Sequence, residues 1–226
     1  TRAGAAGIDA RALEFVDASA LEFIREWYPA IPVNATGGAI WFEQEVSDAD
    51  EDAILATWLQ LMSDHDALID ESWFAISVED QRRLRDFRHA VPSHLYEHIT
   101  SRGVAKIGTD MAVPNGCVGD LLAYYRSEFK RTGLRNVTWG HIGNNHLHAN
   151  VLADNDDEYQ SGRELYGRFI KRALELGGTV SAEHGIGKLK KSYLEMMFGR
   201  EGIESMRRIK RSLDPHGILG RGTMFD

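Results

Sequence analysis

The stretch Thr138-Trp-Gly-His-Ile-Gly-Asn-Asn-His-Leu-His-Ala-Asn150 decides the fold, because its centre has the chemistry of a β-hairpin corner. Asn tolerates the positive φ that a type I′ turn requires, so Asn144 and Asn145 are expected to form a two-residue turn. That turn sets residue 143 opposite 146, 142 opposite 147 and His141 opposite His148. Direct cross-strand partners have Cβ atoms roughly 4.5–5.5 Å apart. Strand alternation adds Trp139, His146 and Asn150 to the same face. Two imidazoles so placed can grip one metal ion, or they can belong to a hydrogen-bonded polar cluster.

Outward from the hairpin, strands and helices alternate. Leu13 to Asp17 is a short apolar strand, and Ser19 is placed to cap a helix carrying Leu21, Ile24 and Trp27. Ala39 to Val46 has strand composition. Ser47 and Asp48 open a helix with Ile54, Trp58 and Leu61 on one side. Ala67 to Ile76 is a weaker strand, and Val78 to Ser101 a helical segment that Pro92 is expected to kink or break near Ala90 and Val91. A strand at Val104–Val113 leads through a turn at Pro114-Asn-Gly116 into a helix over Val118–Arg131. Three more helices are predicted, at Asp157–Leu176, Lys188–Phe198 and Glu201–Leu213. The last buries Ile203, Met206, Ile209 and Leu213. A tight hairpin among helices favours an α+β domain, an antiparallel sheet covered by helices.

Bulk properties narrow the function. At 226 residues with a formal net charge of −8, the chain has a sizeable core and no basic surface for phosphate backbones, so nucleic acid is not an expected partner. The basic clusters at Arg82-Arg83, Lys188–Lys191 and Arg207–Arg211 are solvated helix faces. Cys117 is the single cysteine, so any metal must sit on His, Asp or Glu. No apolar run can span a bilayer and no signal peptide is evident. The opening Thr-Arg-Ala-Gly-Ala-Ala-Gly looks like a connector and suggests a piece of something longer.

Two histidines need a third ligand. Glu183, in Gly178-Thr-Val-Ser-Ala-Glu-His-Gly-Ile-Gly187, lies where a short strand leads into a glycine-flanked bend. Two imidazoles and one carboxylate leave open positions, as catalytic metal sites do. His184 beside it suits a general base, or equally a structural histidine at a helix start. Lys106 and Asp110 share a strand face, which is solvated unless the lysine is aimed at an anionic substrate. Arg88 can clamp a carboxylate, although one more charge on a basic helix is the simpler reading.

Together these motifs resemble a family. His141-Ile-Gly-Asn-Asn-His-Leu-His-Ala-Asn150 is similar to the His-x-Gly-Asp-Gly-Asn-x-His-x-Asn signature of FAD-linked 2-hydroxy-acid dehydrogenases: D-lactate dehydrogenases, glycolate oxidase flavin subunits and D-2-hydroxyglutarate dehydrogenases. Ser181-Ala-Glu-His-Gly-Ile-Gly187, Lys106-x-x-x-Asp110-x-x-Val-Pro114 and Ile209-Lys-Arg-Ser-Leu-Asp-Pro-His-Gly-Ile-Leu219 also look like elements of that family. The likeness is close from about Gly103 onward and looser before it. It implies that residues 1–226 are the substrate, or cap, domain with a ferredoxin-like α+β fold, incomplete at its N-terminus. A separate domain, on the same or another chain, would bind FAD.

The resemblance further implies that His141, His148 and Glu183 bind a divalent metal, most often zinc, and that His184 removes the hydroxyl proton. Arg88 and Lys106 would hold the carboxylate of a small 2-hydroxy acid, and Asn150 would help orient it. An electron acceptor is implied as a further partner. A homodimer and a cytoplasmic location, peripheral to the inner membrane, are compatible with it. Two departures stand out. Asn144-Asn145-His146 replaces Asp-Gly-Asn, so His146 is either a fourth ligand or a substitute for an amide contact. Leu219-Gly-Arg-Gly-Thr-Met224 replaces Leu-Asn-Pro-Gly-Lys, so no flavin contact is assigned. The alternatives left open by the residues are a flavin-independent metallohydrolase and a binding module with a relic site.

Overall fold

The strand Ala12–Val16 (β1) is apolar except for one acid, and it lies near the middle of the sheet in a computed structural model that describes residues 7–35, 37–103 and 106–225. β1 pairs antiparallel with Ala39–Glu43 (β2) on one side and Asn136–Gly140 (β4) on the other. β4 pairs with His148–Val151 (β5), and β5 with the two-residue Ile107–Gly108 (β3). The order is β2-β1-β4-β5-β3, antiparallel throughout, as the hairpin predicted.

Alternation sends side chains to two faces. Phe15, Ile107, Ala149 and Val151 pack against helices Val118–Thr132 (α4), Asp156–Glu175 (α5) and Lys191–Leu213 (α6). Tyr125, Phe129 and Phe169 form the aromatic centre of that layer. Val16 and Val137 pack on the other face against Ala18–Ile24 (α1) and Val78–Arg102 (α3). The helix Glu51–Ser63 (α2) lies outside both layers and buries Trp58, which stacks on Phe42 at 3.7 Å.

Several expectations are corrected. Asp17, not Ser19, caps α1, its carboxylate accepting from Ala20 N at 2.7 Å. Pro92 does not break α3: burial of Phe87, Ala90, Val91 and Leu95 offsets the one missing amide donor. Residues 67–76 form no strand; Ile69–Glu71 closes as a 3₁₀ turn on its own carbonyls. Val104 and Ala105, in the expected strand 104–113, lie outside the described residues, and past Gly108 only Ala112 bridges, to His146. The two expected C-terminal helices are present, divided at the non-helical Gly199 (φ +66°) within Lys191–Leu213 (α6), but of the expected buried stripe Ile203 is buried while Ile209 and Leu213 are 62% and 78% exposed. The supposed buried stripe therefore turns to solvent halfway along.

Candidate active site

The histidine loop is longer than the expected two-residue turn and is folded back on itself. Trp139, not His141, is opposite His148. Between them Ile142–Asn144 coils as a 3₁₀ turn, Asn145 takes the left-handed conformation (φ +53°), and His146 N closes on His141 O at 3.2 Å. Gly140 permits this: its φ is +142°, and a Cβ there would lie 2.8 Å from the His146 carbonyl oxygen. The register is thus two residues off the expected one. A shift of two keeps every side chain on its expected face, so the histidines still converge.

His148 is buried, and its Nδ1 lies 3.0 Å from the Thr109 carbonyl oxygen. A carbonyl only accepts, so Nδ1 carries the proton and Nε2 keeps its lone pair. That Nε2 points at Glu183 Oε1, 3.0 Å away. His141 is arranged alike. Its Nδ1 lies 2.9 and 2.8 Å from the two oxygens of Glu14, and its Nε2 lies 3.5 Å from Glu183 Oε2. Burial pushes the Glu14 carboxyl up, but hydrogen bonds from His141 and Arg88 outweigh it and hold the group below its ordinary range. Glu14 in turn raises His141, while burial lowers His148.

Two ring nitrogens and a carboxylate, acceptors all, therefore face one another. Such a gathering needs a positive charge at its centre, either a proton on one ring or a metal ion. One ligand atom from each of His141, His146, His148 and Glu183 lies within 4.8 Å of every other, a separation one cation can bridge. His146 Nε2 is buried and has no hydrogen-bond partner among the described residues, although Asp110 Oδ1 lies 3.3 Å away. This donor set fits a divalent metal, with His141, His148 and Glu183 to hold it.

Glu183 and His184 arrive on loop 178–187, which forms no strand. Thr179 N and Ala182 N bond to the carbonyls of Ala112 and Asp110 at 2.9 and 2.7 Å. The Asp110 side chain does the rest. It accepts from Lys190 Nζ at 2.7 Å, from Glu183 N and His184 N at 3.2 and 3.1 Å, and from the Ser181 hydroxyl. Burial would raise this carboxyl, yet His146, Lys190, Ser181 and the Glu183 amide hold it well below the usual range. Asp110 is 0% exposed, so the solvated strand face expected for it is wrong. His184, half-exposed, stacks on His148 at 5.1 Å, with Nδ1 3.6 Å from Asp110 Oδ1 and Nε2 3.3 Å from Glu183 Oε1.

The remaining expected residues lie apart from this group. Arg88 Nη2 donates to Glu14 Oε1 at 2.6 Å and its guanidinium packs over Trp41, so it reaches the cluster through Glu14. A cleft of about 430 Å³ opens there, lined by Arg11, Glu14, Arg88, His141, Asn144 and Glu183 among others. Lys106 lies over Tyr96, and Asn150 beside Gly108, where a Cβ would meet the Asn150 Oδ1 at 2.3 Å. The Asn150 amide donates to His148 O, and its buried Oδ1 has no partner among the described residues, so it presents an acceptor. Glu14 was missed by sequence reasoning; the available signal was a lone acid at an inward position of Ala12-Leu-Glu-Phe-Val16.

A family model described as FAD linked oxidases, C-terminal domain, matches residues 1–224. The chain belongs to that family. Among FAD-linked oxidases it is 27% identical over 230 residues to glycolate oxidase subunit GlcD of Bacillus subtilis, covering 98% of this chain and 46% of the relative. It is 42% identical over 95 residues to D-2-hydroxyglutarate dehydrogenase of Xanthomonas citri pv. viticola, covering 40% and 20%. It is 32% identical over 152 residues to a D-lactate dehydrogenase of Archaeoglobus fulgidus, covering 66% and 32%. The chain spans less than half the length of these relatives. Among the described residues no helix is long and apolar enough to cross a membrane.

Proposed function

We propose that this chain is the substrate-binding part of an FAD-dependent dehydrogenase that oxidises a 2-hydroxy acid of the D-lactate, glycolate or D-2-hydroxyglutarate type to the 2-oxo acid. The observation that carries the reading is the convergence of His141 Nε2, His148 Nε2 and Glu183, each imidazole having its other nitrogen satisfied by an acceptor. These three would hold a divalent metal, zinc being well matched to two imidazoles and a carboxylate. When bound, the metal supplies positive charge beside the substrate hydroxyl and FAD supplies a two-electron acceptor. No residue of this chain is assigned to FAD.

The chain's own residues handle the proton and the carboxylate. His184 Nδ1 faces Asp110, leaving Nε2 to take the hydroxyl proton, and the imidazolium so formed lies between the Asp110 and Glu183 carboxylates. Arg88 at the cleft and Lys106 hold the substrate carboxylate. Asn150, presenting an acceptor, helps orient the bound acid. The natural electron acceptor is a further partner.

The test is steady-state oxidation of D-lactate, glycolate and D-2-hydroxyglutarate by the full-length flavoprotein with an artificial acceptor. Turnover of one of them, abolished by a chelator and restored by zinc, is the expected result. A protein that turns over none of them and retains no metal is instead a binding module with a relic site.

A further inference from the structure

We propose that Glu14 is a positioning residue of the cation site: it fixes which nitrogen His141 offers and ties Arg88 to the same anchor. The inference rests on the cation reading above. β1 pairs Phe15 with Gly140, and one further step along that register sets Glu14 opposite His141. Glu14 is 8% exposed in an otherwise apolar strand. A carboxylate buried there is costly unless donors satisfy it. It has two. His141 Nδ1 lies within 2.9 Å of both its oxygens, and Arg88 Nη2 donates at 2.6 Å.

The consequence is directional. An ionised carboxylate only accepts, so the ring nitrogen facing it must carry hydrogen. His141 is left with its Nε2 lone pair toward Glu183, and rotation of the ring would break both contacts. A carboxylate behind a ligating histidine also makes the ring a stronger donor. His148 obtains the same tautomer from the Thr109 backbone carbonyl, which no side-chain substitution removes. On the His141 side, the tautomer depends on one replaceable side chain. Because Oε1 of the same carboxylate also holds Arg88, Glu14 sets where that guanidinium stands relative to the cation site.

The experiment is a zinc competition titration against a chromophoric chelator, using the flavin-loaded full-length protein as wild type, E14Q and E43Q. Among the described residues Glu43 forms its ion pair with exposed Arg11 at 3.6 Å, which makes it a surface control. E14Q is expected to weaken zinc about 10–100-fold, the usual cost of losing a partner behind a ligand; E43Q is expected to match wild type. Equal zinc affinity in E14Q and wild type overturns the role of Glu14 and leaves the cation reading standing. A wild type that binds no zinc overturns both. If E14Q does not fold, ¹⁵N-histidine spectra of zinc-loaded wild type decide: a proton on His141 Nδ1 supports the inference, and a proton on Nε2 sinks it.

Discussion

The two walls of the candidate site are held by different means. The β4–β5 wall sets His148 on β5 and His141 one residue past the end of β4, each fixed at Nδ1 by its own acceptor. The wall of loop 178–187 has no strand, and its catalytic candidates hang on one buried carboxylate, Asp110, shared by Ser181, Lys190 and the amides of Glu183 and His184. A sheet distributes its restraint over many bonds. Beyond two backbone bonds to the Ala112 and Asp110 carbonyls, the loop concentrates its restraint in one anion, so a single substitution should loosen one wall and spare the other.

The largest effect is expected from Asp110→Ala. It leaves the Lys190 ammonium, 13% exposed, without its anion, and breaking a buried pair costs about 3–5 kcal/mol. Chemical denaturation measures the loss. Hydrogen exchange should show the amides of 181–185 unprotected while β4 and β5 stay protected; joint loss of protection would break the comparison. His184→Ala comes next, and its effect falls on the rate. Removing a general base lowers kcat by about 10²–10⁴-fold, and because His184 is half-exposed the melting temperature should hold. Undiminished turnover would remove His184 from the chemistry.

Thr109→Val probes the sheet wall. The buried Thr109 hydroxyl donates to Leu147 O at 3.0 Å and accepts from Ala149 N at 2.8 Å, so its loss should cost about 1–3 kcal/mol. Zinc affinity should change little, because the backbone carbonyl behind His148 remains. The smallest effect is in acid. Arg131 holds Glu128 down to about 2, helped by Arg168 against burial, and Asp110 is also depressed. Carboxylates lowered in the folded state stabilise fully above their unfolded values, roughly pH 4–4.5, and lose that contribution as pH falls through the folded ones. Denaturation between pH 5 and about 2 should therefore show falling stability, with a shallower slope in Glu128→Gln. An unchanged slope in that variant would contradict the shift.

Much of this was legible in sequence because local chemistry and tertiary packing agree there. The hairpin's strands, the antiparallel sheet, and the convergence of His141, His148 and Glu183 follow from alternation and from the glycine-flanked bend. The register was not legible: Asn145 takes the left-handed conformation, but within a 3₁₀-closed loop whose tightness depends on Gly140 meeting His146. Asp110 and Glu14 looked like ordinary strand acids. Their burial depends on partners 71 to 127 residues away, Ser181 and His141, which no local pattern encodes. Pro92 and residues 67–76 show the same limit, with packing sustaining one helix and no neighbouring strand supporting the other segment.

The central claim is that two imidazoles and one carboxylate share a cation. Anomalous diffraction at the zinc edge, on crystals of the full-length protein grown with zinc, tests it most directly. The account predicts one peak about 2.0–2.2 Å from His141 Nε2, His148 Nε2 and a Glu183 oxygen. No peak there, with Glu183 bonded directly to protonated histidines, would contradict it.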